Sequence, residues 1–206
     1  DPATACRPFD AARNGFVLGE GAATLVLESL DSATQRGVRI RGEIAGYGQS
    51  SDATHITTPN PEGQARAIRD ALECARVRPE DIGFINAHGA ATKTSDPCEC
   101  ESIRLAFGAS AARIPVASLK SYFGHLLGAS GAMETIVTLL GLEKGSVPPN
   151  LNLDNPDPEC NLLFVRGGMT AVASPWAAKN SFAFGGDNAV LVLRRWEQCA
   201  GPRGAT

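Results

Sequence analysis

The 206-residue sequence has few histidines, little net charge and no long apolar segment. Its formal charge of −3 is too small to indicate nucleic acid or a membrane surface as a partner. No apolar stretch is long enough to cross a bilayer without glycines or charges. Three histidines, and six cysteines without paired zinc-ligand spacing, argue against a metal site. We therefore expect one sizeable α/β domain without a metal, a nucleic-acid partner or a membrane partner.

The sequence opens on a polar, turn-rich segment, DPATACRPFD, with no secretory leader. Scattered cysteines in a chain that is not secreted are typical of reduced thiols, so we expect a cytoplasmic protein. Because the first residue is aspartate rather than methionine, we also expect that residues upstream are missing.

Apolar patterns predict alternating strands and helices. The predicted helices cover 63–76, a segment capped by Ser95 or Asp96 that ends at Phe107, and the apolar run from Leu126 to Leu142. A long polar loop is expected over 48–62. The predicted strands are 16–27 with a glycine kink, 40–47, 82–87, 114–117, 162–165, and a hairpin of 177–182 with 189–193.

The segment SLKSYFGHLLGASGA, residues 118–132, places Lys120 and His125 five residues apart at a predicted strand-to-helix junction. The partial positive charge of a helix N-terminus disfavours an imidazolium. A neutral imidazole at that position can donate a hydrogen bond to a developing oxyanion. The alternative is that His125 only caps the helix and Lys120 is a solvated loop residue.

Three polar or glycine-rich turns each follow a predicted strand: HGAAT at 88–92, KSYFGH at 120–125 and NSFAFGG at 180–186. Strand ends that deliver two histidines and a lysine to one rim of a sheet suit carbanion or oxyanion chemistry. A purely structural alternative treats the three turns as packing and capping features.

Five motifs occur in order along the chain: RPFDAARNGFVLGEGA (7–22), INAHG (85–89) with Asp96 eight residues after His88, SLKSYFGHLLGASGA (118–132), VPPNLNLDNPDP (147–158) and NSFAFGG (180–186). Together they resemble the C-terminal half of a β-ketoacyl-acyl-carrier-protein synthase of the elongating type. The resemblance implies an α/β, thiolase-like, layered αβαβα fold, of which this chain is roughly the C-terminal half. Residues 1–47 would hold the last two strands of the N-terminal half, and 48–206 would form the C-terminal half.

The resemblance implies a catalytic role for five residues. His88 and His125 would hydrogen-bond the malonyl thioester carbonyl and stabilise the enolate left by decarboxylation. Lys120 would orient the histidines, with Glu134 as its partner. The N–H of Phe184 would complete an oxyanion hole, and its ring would gate the acyl pocket.

The resemblance also implies a substrate-binding set. Thr92 would hydrogen-bond the phosphopantetheine arm, His55 and Thr57 would lie at the mouth where the carrier protein docks, and Phe182 would line the site. No cofactor is expected beyond the phosphopantetheine of acyl carrier protein. Asp96 and Glu99 are expected to be structural.

The family's nucleophilic cysteine would lie in the absent N-terminal half, and Cys6 is interpreted as a bystander. The implied function is decarboxylative Claisen condensation of malonyl-acyl carrier protein with an acyl thioester in fatty acid or polyketide synthesis. The alternative is a non-catalytic partner subunit that resembles a chain-length factor. Implied partners are acyl carrier protein, the N-terminal half of the synthase and a second ketosynthase subunit in a homodimer or heterodimer.

Two positions depart from the family pattern. Ala90 stands where the family usually has threonine, which removes one hydroxyl expected to hold the pantetheine. Ala183 stands where the family has glycine, and would restrict the gate if that position needed a positive φ. Both departures suggest an unusual substrate or a modified loop.

Overall fold

In a computed structural model, which describes residues 1–197, strands and helices alternate along most of the chain. Three-residue 3₁₀ turns at Leu127–Ala129 and Phe184–Gly186 lie near the candidate site. The helices are α1 Pro2–Ala5, α2 Leu30–Gln35, α3 Pro61–Ala75, α4 Ser95–Phe107, α5 Lys120–Phe123 and α6 Ser130–Lys144. The strands are β1 Gly42–Ser51, β2 Ile82–Asn86, β3 Val116–Ala117, β4 Ser146–Val147, β5 Thr170–Ala171, β6 Trp176–Phe182 and β7 Asp187–Arg195.

Five strands form one mixed sheet in the order β1-β7-β6-β2-β3. The predicted hairpin is confirmed, because β6 and β7 pair antiparallel. β2 pairs parallel with both β6 and β3, so all three strands end at the same edge of the sheet. β1 runs antiparallel to β7 and also ends at that edge. The topology therefore brings the turns after β1, β2, β3 and β6 together.

Helices cover both faces of the sheet, because successive strand residues point to opposite sides. Ile85 belongs to the core under α3 and α4, whereas its neighbour Phe84 belongs to the core under α6. The helix α3 lies unusually close to β1. A Cβ at Gly48 would come within 2.0 Å of the Ala67 carbonyl oxygen. Glycine at that position thus permits the close approach of helix and strand.

Several secondary-structure predictions were wrong. Residues 16–27 form no strand; only Leu18 makes an isolated bridge, with His125. Within residues 1–197 this apolar segment has no neighbouring strand with which to form a ladder. Residues 162–165 likewise provide only the bridge of Phe164 to Val116.

The polar loop predicted over 48–62 is shorter than expected, because Gly48–Ser51 belong to β1. The predicted division at residue 47 falls inside β1, and the assignment of 1–47 to the other half of the fold stays a prediction. Neither Ser95 nor Asp96 caps α4; the Ser95 N–H instead bonds the Thr92 hydroxyl at 2.9 Å. In the described part of the chain, no helix has the length and apolar character needed to cross a bilayer.

Candidate active site

The turn after β2 is held by a buried carboxylate. Glu99 on α4 accepts hydrogen bonds from the backbone N–H groups of His88 and Gly89, both at 2.7 Å. Asn180 on β6 donates to the same carboxylate at 3.0 Å. Gly89 has φ 44°, and a Cβ there would lie 2.5 Å from the Ser118 Cβ. The backbone that presents His88 is therefore fixed by α4, β6 and the turn after β3.

Lys120 is fully buried at the start of α5. Its Nζ donates to Glu134 Oε1 and to the His88 carbonyl oxygen, both at 2.6 Å, and lies 3.5 Å from His88 Nδ1. Glu134, on α6, is fully buried as well. The structure thus brings together the lysine and glutamate that the sequence analysis paired.

His125 does not lie at the start of a helix as predicted, since α6 begins five residues later at Ser130. Two backbone hydrogen bonds link residues 17–19 to this turn. The His125 N–H donates to the Val17 carbonyl at 2.7 Å, and the Gly19 N–H donates to the His125 carbonyl at 3.1 Å. His125 Nδ1 accepts a hydrogen bond from the Leu127 N–H at 3.1 Å. The local turn, rather than the helix N-terminus itself, thus orients this ring.

The two imidazoles lie edge to face, with ring centroids 5.3 Å apart. A backbone N–H can only donate, so Nδ1 of a neutral His125 is unprotonated and its proton is on Nε2. The ammonium of Lys120 has only donors and imposes the same tautomer on His88. Burial, reinforced by Lys120, lowers the pKa of both rings below the ordinary histidine value, more strongly for His88. Both rings are therefore neutral Nε2–H donors near pH 7.

A cavity of about 740 Å³ opens in front of the two histidines. It brings together eight predicted site residues from the loops at this edge of the sheet, from α6 and from the end of β6: His88, His125, Glu134, Phe184, Thr92, Thr57, His55 and Phe182. Lys120 is the one predicted site residue outside the lining and lies behind His88. The Phe182 ring lies 6.0 Å from the His88 ring, whereas Phe184 is two-thirds exposed at the entrance. The roles proposed for these residues stay predictions.

Two loops at the cavity mouth are tied together. The Gly185 N–H donates to the Ile56 carbonyl at 2.8 Å, which links the turn of the β6–β7 hairpin to the loop that carries His55 and Thr57. Ala183 precedes that turn with φ −123° and ψ 165°. This is ordinary extended backbone, so alanine fits here without strain. Ala90 lines the cavity and is 5% exposed, so this position offers the cavity a methyl group and no hydrogen-bonding group.

None of the cysteines in residues 1–197 lines the cavity. Cys6 is buried, donates its S–H to the Lys120 carbonyl at 3.0 Å, and has a pKa raised by burial. Burial also raises the pKa of Cys98 to about 12. These thiols lack the electropositive, accessible surroundings that activate a nucleophile. Cys199 lies outside the described residues.

Residues 41–154 match the family model described as "Beta-ketoacyl synthase, C-terminal domain", and residues 1–33 match "Beta-ketoacyl synthase, N-terminal domain". The chain belongs to the β-ketoacyl synthase family. Residues 34–40 lie between the two matches and belong to neither.

A curated relative, 3-oxoacyl-[acyl-carrier-protein] synthase 2 of Synechocystis sp., is 46% identical over 199 residues, which cover 96% of this chain and 48% of that protein. The chain thus spans about half the length of the curated relatives it matches.

Two solved ketosynthase structures are also similar. One is described as "AntDE:AntF (apo): type II PKS acyl-carrier protein in complex with its ketosynthase bound to the hexaketide". It superposes with a TM-score of 0.92 at 37% identity, covering 96% of this chain and 49% of that one. The ishigamide ketosynthase/chain length factor superposes with a TM-score of 0.89 at 44% identity, covering 93% and 47%. These likenesses confirm the predicted fold class, the C-terminal half of a thiolase-like α/β protein.

Sequence reasoning missed Lys179, which lies on β6 behind the histidines. Its Nζ is 3.1 Å from Glu134 Oε2, and the side chain is 2% exposed. A sequence signal for this residue exists, because Lys179 is the one charged residue in the strand segment WAAKNSF. A lysine inside a buried strand is rare unless it has a charged partner, so its presence there indicates a buried ion pair.

Proposed function

We propose that this chain supplies the histidine and lysine groups of a ketosynthase. The reaction is decarboxylative Claisen condensation of malonyl-acyl carrier protein with an acyl thioester in fatty acid or polyketide synthesis. One observation carries the proposal: His88 and His125 are adjacent neutral imidazoles whose Nδ1 atoms are engaged, so their Nε2–H groups are the donors left for a ligand.

In the proposed first step, the bond between the malonyl carboxylate and the methylene carbon breaks. Carbon dioxide leaves, and the electron pair forms an enolate whose negative charge develops on the thioester oxygen. Two Nε2–H donors aimed at that oxygen stabilise the developing charge more than they stabilise the neutral carbonyl. Lys120 acts behind His88, because its ammonium fixes the His88 carbonyl and faces Nδ1.

In the proposed second step, the enolate carbon attacks the carbonyl of an acyl thioester held on a cysteine of the N-terminal half. A carbon–carbon bond forms, the tetrahedral intermediate collapses and the thiolate leaves. The N–H of Phe184 donates to the oxyanion of that intermediate. The nucleophile is assigned to the N-terminal half because Cys6 is buried, Cys98 is partly buried, and burial raises the pKa of both thiols.

The remaining cavity residues are assigned to substrate binding. Thr92 hydrogen-bonds the phosphopantetheine arm, and His55 and Thr57 contact the carrier protein at the mouth. Phe182 contacts the bound thioester, and the ring of Phe184 gates the acyl pocket. The assembled enzyme contains the N-terminal half and pairs with a second ketosynthase subunit.

The test combines this chain with the N-terminal half and measures carbon dioxide release from malonyl-acyl carrier protein. His125→Ala should abolish decarboxylation, whereas His55→Ala, at the exposed histidine of the mouth, should raise KM and leave kcat nearly unchanged. Full activity of both His88→Ala and His125→Ala would refute the catalytic assignment and favour the non-catalytic partner subunit.

A second measurement locates the nucleophile. Intact-mass spectrometry before and after iodoacetamide treatment should show rapid single labelling of the N-terminal half and only slow labelling of this chain.

A further inference from the structure

Lys179 is the buried charge closest to the site that the proposed mechanism does not use. It lies in the middle of β6, its side chain is 2% exposed, and its Nζ donates to the Ser181 hydroxyl. The ammonium lies 3.1 Å from Glu134 Oε2, in an ion pair outside hydrogen-bonding angles. In the register of the sheet, Lys179 is paired with Asn86 on β2.

Two lysines therefore share one carboxylate, each facing a different oxygen. Lys120 bonds Glu134 Oε1 at 2.6 Å and Lys179 faces Oε2. Within residues 1–197, Glu134 Oε2 and Asn86 Oδ1 are buried acceptors without a hydrogen-bond partner. A positive charge at Lys179 offsets the cost of leaving Glu134 Oε2 without a hydrogen bond.

The charge of Lys179 also contributes to the net charge of the groups around the two histidines. The charged and titratable groups that face the two rings are Lys120, Lys179, Glu134 and Glu99. With both lysines protonated and both carboxylates ionised, the four charges cancel. Without Lys179 the cluster would carry one net negative charge, which favours protonation of a nearby imidazole.

We propose that Lys179 is a positioning residue of the reaction proposed above. Its ammonium holds Glu134 from behind, keeps Lys120 against the His88 carbonyl, and maintains both histidines as neutral Nε2–H donors. Lys179 acts through Glu134 and the histidines and does not line the cavity.

The electrostatics of the site agree with this assignment, and packing alone does not explain a lysine here. Lys179 is among the charges that lower the pKa of both His88 and His125, after burial and Lys120. Burial in turn lowers the pKa of Lys179 itself, and Glu134 opposes that change. An apolar side chain of similar length would fill the same space without the cost of burying an ammonium, so packing alone does not account for a lysine here.

The test is an imidazole titration by NMR, which is feasible because the chain has only three histidines. The full chain is compared with Lys179→Met, and resonances are assigned with His→Gln variants. His125, which is only partly buried, is the main reporter. Its pKa should rise in Lys179→Met by on the order of half a unit, because a like charge has been removed. Glu134→Gln should move it the opposite way, since Glu134 raises the His125 pKa.

Lys144→Met is the matched control, because it removes the same charge from an exposed position at the end of α6. The control should leave the His125 titration unchanged. An unchanged His125 titration in Lys179→Met overturns the proposal, and so does a shift in the same direction in Glu134→Gln. If Lys179→Met does not fold, Lys179→Gln carries the same expectation. Failure of both to fold, when Lys144→Met folds, shows a structural role and also overturns the proposal.

The activity readout uses the chain assembled with its N-terminal half. The acid limb of malonyl decarboxylation should move to higher pH in Lys179→Met and stay in place in Lys144→Met. Absence of decarboxylation in the parent assembly would refute the proposed function alone, because the histidine titration still decides the role of Lys179.

Discussion

The three-residue ion cluster predicts an asymmetry between its members. In an isolated buried pair, removing either partner leaves one unpaired charge. Here Lys120→Met leaves Glu134 still facing Lys179 at 3.1 Å, whereas Glu134→Gln leaves two buried lysines without a carboxylate between them. Glu134→Gln should therefore be the more destabilising change.

The magnitudes follow from the contacts that each change removes. Lys120→Met removes two charge-assisted hydrogen bonds of 2.6 Å, and a residual ion pair remains, so we expect a loss of about 2–3 kcal/mol. Glu134→Gln breaks a buried pair outright, which costs about 3–5 kcal/mol, and adds repulsion between the lysines. The double variant Glu134→Gln/Lys179→Met should recover about 1 kcal/mol or more, because only one ammonium is left unpaired.

Urea denaturation of the chain at pH 7, followed by circular dichroism, measures these differences as free energies of unfolding. Lys144→Met, at an exposed position on the same helix, should change the free energy of unfolding by less than about 0.5 kcal/mol. Equal destabilisation by Lys120→Met and Glu134→Gln, or a double variant less stable than Glu134→Gln, would refute the shared-carboxylate interpretation.

Three further predictions concern residues near the site, one on α4 and two on loops. Burial raises the pKa of Asp96 to about 7, so the folded state keeps a proton that an unfolded carboxyl releases near pH 4. As the pH rises from 5 to 7, the free energy of unfolding of the parent should therefore fall by up to about 1.4 kcal/mol per pH unit relative to that of Asp96→Asn. Urea denaturation that shows the same difference between the two proteins at every pH would contradict this. Asn150→Ala should cost about 2–4 kcal/mol, because it removes three buried hydrogen bonds and orphans the Ser118 N–H; a loss below 1 kcal/mol would count against it. Ala90→Thr should lower KM for malonyl-acyl carrier protein roughly 2- to 12-fold through one hydroxyl–amide bond, and an unchanged KM would show that the hydroxyl does not reach the arm.

The sequence predicted the secondary structure correctly where the local residue pattern and the tertiary packing favour the same element. The helix α3 has apolar residues at helical spacing, and the hairpin β6–β7 surrounds a glycine-rich turn, so the ends of both were predicted to within two residues. The three turns after β2, β3 and β6 were also expected at one edge, because parallel strands carry their carboxyl ends to the same side.

The errors occurred where long-range contacts decide the structure. Residues 16–27 have the apolar composition of a strand, but a strand needs a hydrogen-bonded neighbour, and single-chain patterns do not show whether one is present. His125 was expected at a helix start because the apolar run begins next to it. Leu127, with φ 50°, instead breaks the run before α6 begins. Lys179 was overlooked because its partner, Glu134, is 45 residues away in the sequence, on α6.

The mixed sheet separates the chemistry of the proposed site from access to it. The parallel strands β2 and β3 place His88 and Lys120 just beyond their carboxyl ends, and β6 carries Lys179 at its middle. The buried partners of these residues come from the covering helices. The antiparallel strands β1 and β7 instead flank the mouth, where the Gly185–Ile56 hydrogen bond joins two exposed loops. Buried side chains with several hydrogen-bond or ion-pair partners suit groups that must keep one protonation state. Exposed loops have fewer buried contacts, so their local opening costs less free energy. A substitution at the mouth should therefore change mainly substrate entry and KM, while one in the lysine–glutamate cluster should change kcat and its pH profile.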